Sequence, residues 1–76
     1  VTEETDKEAV SVFTRFADQY PDAEYLLAKM HEHGRGGLAQ DDNKAVELLE
    51  KSASKGHSRA QFRLGMMHKE GRGGLI

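Results

Sequence analysis

The chain has no cysteine and no tryptophan, a single proline and few aromatic residues. Without cysteine, the 76 residues cannot form disulfides, thiolate metal sites or cysteine nucleophiles. No apolar run approaches the roughly 20 residues that a membrane-spanning helix needs, and no stretch has the pattern of a signal peptide. We therefore expect no direct membrane insertion, and the sequence leaves the compartment open.

A strong excess of one charge is also missing. The chain carries 11 Lys and Arg against 13 Asp and Glu, which gives a formal net charge of −2. Proteins that bind the phosphate backbone usually carry a clustered basic excess. The charge balance therefore predicts that nucleic acid is not a partner.

One segment of the chain occurs twice. Residues 23–38, AEYLLAKMHEHGRGGL, recur as residues 60–75, AQFRLGMMHKEGRGGL. The identical pairs are Ala23/Ala60, Leu27/Leu64, Met30/Met67, His31/His68, Gly34/Gly71, Arg35/Arg72, Gly36/Gly73, Gly37/Gly74 and Leu38/Leu75. A fixed period of this length predicts a stack of helical repeats, because one short helical pair cannot bury its apolar face alone.

The spacing of apolar residues predicts a first helix over about residues 5–19. Thr5 and Glu8 form a capping-box pattern at its start, and Pro21 is expected to end it. Asp22 is the expected N-cap of a second helix, over about residues 23–33.

Glycines and caps delimit the remaining helices. Gly34 is expected to end the second helix, and Asp41 or Asp42 to cap a third over about residues 43–54. The inward face of the third helix is predicted to hold Ala45, Val46, Leu48, Leu49, Ser52 and Ala53. Ser58 and Gln61 form a second capping box, which predicts a fourth helix from there to about Glu70, ended by Gly71.

These residues together resemble the Sel-one-like repeat family, which is related to the tetratricopeptide repeats. The resemblance is carried by alanine, leucine and glycine positions of the repeated segment and by the aspartate, lysine and alanines that follow its first copy. In the first copy they are Ala23, Leu27, Gly34, Gly37, Leu38, Asp41, Lys44, Ala45, Ala53 and Gly56, and in the second Ala60, Leu64, Gly65, Gly71 and Gly73. The family implies an all-α solenoid of helix pairs A and B in a right-handed superhelix, which serves as an adaptor in protein complexes with its A helices on the concave side.

The pattern departs from the family at three places. His31 and His68 stand where the family usually has tyrosine, Ala28 replaces a glycine, and the GRGGL loop is one residue longer. Within this scheme residues 1–20 are helix B of a preceding repeat, 21–56 are a complete A-B repeat, and 57–76 are helix A and the loop of a repeat that is cut short. We therefore expect the chain to be part of a longer array.

The Gly-Arg-Gly-Gly loop is predicted to be a structural turn rather than a phosphate-binding loop. Phosphate loops lead into a helix N-terminus, whereas this loop leaves a helix C-terminus, the negative end of the dipole. Arg35 and Arg72 are expected to place their guanidinium groups near the last helical carbonyls or near an acidic neighbour. Leu27, Leu64, Met30 and Met67 are expected to be buried between helices A and B.

Four histidines, His31, His33, His57 and His68, keep a competing hypothesis open, a His-dependent metal-binding or hydrolase module. His31 and His33 point about 200° apart on a helix, unlike the i, i+4 pair of a zinc helix. No nucleophile, base and acid fall into a catalytic arrangement. We therefore predict no enzymatic activity, no cofactor and no metal, and favour a packed histidine ring beside each glycine turn.

Partner binding is assigned by default to the free face of the A helices. The residues predicted to contact a protein or peptide there are Tyr25, Lys29, Glu32, Phe62, Met66 and Lys69. Tyr25 and Phe62 could equally pack against the adjacent A helix, and a spacer that binds nothing remains an alternative. Phe13 and Phe16 at one end, and Phe62 and Met66 at the other, predict a homodimer through uncovered solenoid ends.

Overall fold

The computed structural model describes the backbone of residues 2–74 and the side chains of residues 4–74. It contains four helices: α1 (Thr2–Phe16), α2 (Pro21–His33), α3 (Asp42–Ser54) and α4 (Ser58–Glu70). No strand occurs between residues 2 and 74, which confirms the predicted all-α helical-repeat fold. The predicted pair Leu38/Leu75 ends on a residue outside the described part of the chain.

The helices pack in chain order. α2 lies between α1 and α3, α3 lies between α2 and α4, and the α2–α3 interface is the most extensive. Each outer helix, α1 or α4, therefore packs closely against a single neighbour. None of the helices in the described part is long and apolar enough to cross a membrane.

The core follows the predicted helical stripes. Leu27, Met30 and Met67 are buried, and Leu64 is partly buried against the same cluster. The predicted inward face of α3 is also confirmed, with only Ala53 partly exposed. The buried cluster consists of Ala17, Leu27, Ala28, Ala45, Val46, Leu48, Leu49, Ala60 and Met67. Four of these are alanines, so the helix backbones approach one another closely.

Both A helices end in the same way. Gly34 and Gly71 follow α2 and α4 in left-handed conformation, with φ of 64° and 69°. The next N–H group in each copy bonds back into the helix, Arg35 to the Met30 carbonyl and Arg72 to the Met67 carbonyl, both at 3.0 Å. The glycines were predicted to end the helices because this conformation is costly for a residue with a Cβ.

The predicted helix starts were less accurate. α1 begins at Thr2, so Thr5 and Glu8 lie inside it and do not cap it. Pro21 is the first residue of α2 rather than the end of α1, and Tyr20 takes the N-cap position without a side-chain bond. A proline is well suited to a first helical turn because its missing N–H has no helical partner there.

Asp22 is accordingly not the N-cap of α2. It lies in the first turn, where its negative charge is favourable beside the positive end of the helix dipole. For α3 the prediction was right, since the Asp41 carboxylate accepts a hydrogen bond from the Lys44 N–H at 3.1 Å.

α4 is capped by His57 and not by Ser58. His57 Nδ1 accepts a hydrogen bond from the Ala60 N–H at 3.1 Å, while Ser58 is already helical. Gln61, the other half of the predicted capping box, donates from Nε2 to the Ala53 carbonyl at 3.1 Å. Gln61 thus links α4 to the end of α3.

Candidate functional site

The two Gly-Arg-Gly-Gly corners, residues 34–37 and 71–74, rest on the first turns of α1 and of α3. A Cβ added to Gly36 would lie 2.7 Å from the Asp6 carbonyl oxygen and 2.6 Å from Val10 Cγ2. In the second copy, a Cβ on Gly73 would lie 2.8 Å from the Asp42 carbonyl oxygen and 2.4 Å from a Val46 methyl carbon. The two corners therefore dock in the same way, on α1 and on α3.

An arginine closes each corner with two parallel hydrogen bonds to the helix on which the corner rests. Arg35 donates from Nε and Nη2 to the Asp6 carboxylate at 3.0 and 2.9 Å. Arg72 donates likewise to the Asp42 carboxylate at 3.1 and 2.9 Å. Two positions were predicted for these guanidinium groups, and in the structure both lie beside an acidic neighbour. Such bidentate pairs are strong and geometrically specific.

The pKa values of Asp42 and Arg72 both reflect this contact. The hydrogen bond from Arg72, followed by its charge, lowers the pKa of the Asp42 carboxyl despite some desolvation, and the same bond raises the pKa of Arg72. Both corner loops are thus occupied by contacts within the chain, which supports their interpretation as structural turns.

Two glutamates on α2 are buried and paired. Glu24 accepts a hydrogen bond from Lys55 Nζ at 2.9 Å, and the Glu32 carboxylate accepts from Arg63 and lies 3.1 Å from Arg72 Nη1. Both glutamate side chains are only 2% exposed. A buried carboxylate requires such partners, because an unpaired charge in the interior is costly. Glu32 therefore connects α2 to α4.

His57 has a second role beside the cap. Because its Nδ1 accepts from the α4 backbone, its proton lies on Nε2, which is 2.6 Å from Asp22 Oδ1. Its ring stacks on Tyr25 with centroids 4.8 Å apart and planes at 28°. His57 thus ties the start of α4 to the first turns of α2. The sequence gives only a weak signal for this role of His57, namely a histidine directly before the serine of a capping box.

The other histidines are spread over the molecule. His31 is half-buried, and burial, followed by the nearby charge of Lys44, lowers its pKa although Asp41 acts in the opposite direction. His68 is exposed at the far end of α4. Within residues 4–74 no three His, Asp or Glu side chains form a group that could hold a metal ion.

A groove of about 500 Å³ runs between the two A helices, α2 and α4. Four of the six predicted contact residues line it, namely Tyr25, Lys29, Glu32 and Phe62. The other two, Met66 and Lys69, lie further along α4 and do not line it. His33, Ser58, Arg59 and Arg63 complete the walls, and the sequence analysis missed the two arginines. Their i, i+4 spacing around Phe62 would have placed them on one face of α4.

The aromatic side chains of the groove differ in their surroundings. Tyr25 packs on His57, and Lys29 Nζ lies 5.6 Å from the Tyr25 ring centroid. Phe62 is 73% exposed, the highest value among the large hydrophobic residues of the described chain. Tyr25 thus packs on the residue that caps α4 and also lines the groove, whereas the Phe62 ring is open to solvent.

Glu32 differs from the other predicted contact residues. Its carboxylate lies at the floor of the groove and is already bound by Arg63 and Arg72. This pairing holds Arg63 in the wall of the groove.

Comparison with protein families gives a match to the Sel1 repeat model at residues 21–57 and 58–76. Neither the curated proteins nor the solved structures contain a match to the chain.

Proposed function

The chain belongs to the Sel1 repeat family, and on that premise we propose that it is an adaptor or scaffold segment that binds a partner protein or peptide. Sel1 repeats generally mediate protein–protein interaction, and the family is typically non-catalytic. We further propose that the groove between α2 and α4 is the binding surface and faces the concave side of a right-handed superhelix. The chain would then divide into the segments 1–20, 21–56 and 57–76.

The observation that carries this proposal is the position of Phe62. A phenylalanine that is 73% exposed is unfavourable in water, yet it projects beside a groove. The His57–Asp22 and Glu32–Arg63 contacts join the two helices that form this groove. A preformed site with an exposed aromatic is typical of a binding hot spot.

The same proposal includes what the chain does not do. We propose that it has no enzymatic activity and does not bind nucleic acid. The dispersed histidines support this over the alternative of a His-dependent metal or hydrolase module, since no three ligands converge in the described part of the chain.

Replacement of Phe62 by alanine tests the groove. Partners captured by the wild-type chain are purified, and their Kd is measured for the wild type and Phe62→Ala. We expect Phe62→Ala to weaken binding by at least tenfold, because aromatic hot spots cost about 2 kcal/mol or more on truncation. Folding should be unchanged, since the ring is mostly in water.

Tyr20→Ala is the matched control, because Tyr20 is also exposed, at 55%, and does not line the groove. An unchanged Kd for Phe62→Ala together with a weakened Kd for Tyr20→Ala would move the binding surface away from the groove. Equal Kd values for all three proteins would favour a spacer that only sets distance.

A second function, self-association through the outer helices, is supported by a comparison of equivalent positions. When α1 is aligned with α3 at a shift of 36 positions, Val12 corresponds to Leu48 (48 − 12 = 36). Leu48 is 7% exposed, whereas Val12 is 51% exposed. Ala28 on α2 is fully buried, whereas a Cβ on the equivalent Gly65 of α4 would meet nothing within 4 Å. α1 thus leaves open the surface that its equivalent α3 buries against α2. Likewise, α4 leaves open the surface that its equivalent α2 buries against α3.

We propose that two copies of the chain join head to tail, with α4 of one copy packed on α1 of the next. This contact would reproduce the α2–α3 interface, because α4 repeats α2 in sequence and α1 is aligned with α3. Apolar residues at the open end of α1 favour it, since Val12 and Phe16 form an exposed patch with Tyr20 and Leu26. A head-to-tail contact does not close on itself, so further copies could add.

Complementary end variants test this arrangement. Val12→Glu blocks the α1 end and Gly65→Arg blocks the α4 end, and both positions are exposed, so the chain should still fold. Sedimentation is expected to show a dimer for the wild type that grows into larger head-to-tail oligomers as the concentration rises. Each variant alone should be a monomer, and their mixture should form a 1:1 dimer. A wild type that remains monomeric at millimolar concentration, or a dimer of Gly65→Arg alone, would contradict the head-to-tail contact.

A further inference from the structure

The groove between α2 and α4 is basic although the chain as a whole is acidic. Three cationic side chains line it, Lys29, Arg59 and Arg63, against one carboxylate, Glu32. The whole chain carries a net charge of −2. A local charge opposite to that of the whole molecule attracts ligands of one sign to that place.

The carboxylate inside the groove is already paired, since Glu32 is bound by Arg63 and Arg72. Asp22, in the adjoining part of the cleft, accepts a hydrogen bond from His57 Nε2, but its side chain is 84% exposed and its negative charge stays available. Lys29 and Arg59, in contrast, are exposed and form no ion pair with any residue that the structure describes. Two free cations against the single Asp22 carboxylate leave a net positive charge available to a ligand.

The free cations lie on opposite walls of the groove, with an apolar surface between them. Lys29 belongs to α2 and lies over the Tyr25 ring, while Arg59 belongs to α4 one turn before Phe62. A ligand that contacts both walls can place a carboxylate near each cation and an apolar side chain against Phe62. A protein segment with both kinds of side chain fits this arrangement.

We infer that the occupant of the groove is an acidic protein segment with an aromatic or aliphatic side chain between its carboxylates. The inference rests on the proposed function and specifies the partner's chemistry. A nucleic acid is the weaker candidate, because two unpaired cations can neutralise few phosphates and the rest of the chain repels them. Complementary charges would mainly accelerate association and set specificity, while Phe62 supplies the apolar contact.

Fluorescence anisotropy with labelled model peptides tests the inference. The probe is a ten-residue peptide of Glu and Asp with one central Phe. Three comparator peptides are used: one has Gln in place of every acidic residue, one has Lys in place of every acidic residue, and one has Ala in place of the Phe. We expect the acidic probe to bind most tightly, the Gln comparator less tightly and the Lys comparator least tightly. High salt should weaken binding of the acidic probe. The Phe-to-Ala probe should bind less tightly than the acidic probe at every salt concentration.

Charge reversal in the protein provides the second measurement. Lys29→Glu combined with Arg59→Glu should weaken binding of the acidic probe by about tenfold or more, since each reversal replaces attraction by repulsion. The matched control reverses two exposed cations outside the groove, Arg15→Glu and Lys51→Glu, which changes the net charge equally. The control should retain most of the affinity.

The outcomes separate the inference from the proposal on which it rests. If Phe62→Ala weakens all peptides equally and charge has no effect, the groove remains a protein-binding surface but the acidic partner is wrong. Failure of the acidic probe to bind, equal effects of the two double variants, or tighter binding of a single-stranded oligonucleotide than of the acidic probe would each overturn the inference.

Discussion

Gly36→Ala is expected to destabilise the chain by about 3 kcal/mol, through two separate causes. A residue with a Cβ costs roughly 1–2 kcal/mol in the left-handed conformation, and Gly36 has a φ of 65°. In addition, the new methyl group would meet the Asp6 carbonyl oxygen at 2.7 Å and a Val10 methyl carbon at 2.6 Å. Overpacking of this kind costs about 1–3 kcal/mol, and the carbonyl belongs to a helix backbone that yields little.

Gly56→Ala is the matched control for this prediction. Gly56 also has a positive φ, 85°, but a Cβ there would meet nothing within 4 Å. Only the conformational cost applies, so we expect a loss of about 1 kcal/mol. Urea unfolding followed by circular dichroism measures both. Equal losses for the two variants would show that the corner does not dock on α1.

Leu49→Ala is expected to cost about 2–5 kcal/mol, because it removes a fully enclosed side chain from the centre of the core. Leu49 is 1% exposed and lies on α3, which packs on both α2 and α4. A chain of this size has a total stability of roughly 4–11 kcal/mol. The variant should therefore unfold at a much lower urea concentration than the wild type.

Leu26→Ala makes the same chemical change at a position that is 38% exposed. Its cost should be at most about 1.5 kcal/mol, since much of the side chain already contacts water. If Leu26→Ala were as destabilising as Leu49→Ala, the assignment of α3 to the centre of the core would be wrong.

The repeat made most of the fold predictable from the sequence. Two copies of one segment identified the glycines that end α2 and α4 and the leucine and methionine positions of the core. When the first helix is aligned with the third at a shift of 36 positions, Val10 corresponds to Val46 (46 − 10 = 36), and each valine lies against a corner glycine. These features depend on local geometry that a short sequence specifies, and they recur in the structure.

The helix starts were harder to predict because several residues can supply the same hydrogen bond. A histidine Nδ1 accepts from a backbone N–H as well as a serine hydroxyl does, so His57 replaced Ser58 as the cap of α4. The position of Pro21 suits the end of one helix and the start of the next, and the sequence does not distinguish the two.

The composition of the groove was predicted only in part. Glu32 lies on the outer stripe of α2 and therefore appeared exposed, but it is buried and paired with Arg63 and Arg72, which lie 31 and 40 positions further along the chain (63 − 32 and 72 − 32). A helical pattern gives the face of a residue and not the partner that covers it. The basic character of the groove depends on the same long-range pairs, since they determine which charges remain free.

The central claim is that the two glycine corners dock in the same way, one on α1 and one on α3. This docking stacks the helices and forms the groove. Nuclear Overhauser effects test it most directly. The contacts predict cross-peaks from the Val10 methyl protons to the Gly36 Hα protons, and from the Val46 methyl protons to the Gly73 Hα protons. Both sets of cross-peaks together are the expected result. The absence of either set from a folded sample with assigned resonances would contradict the account.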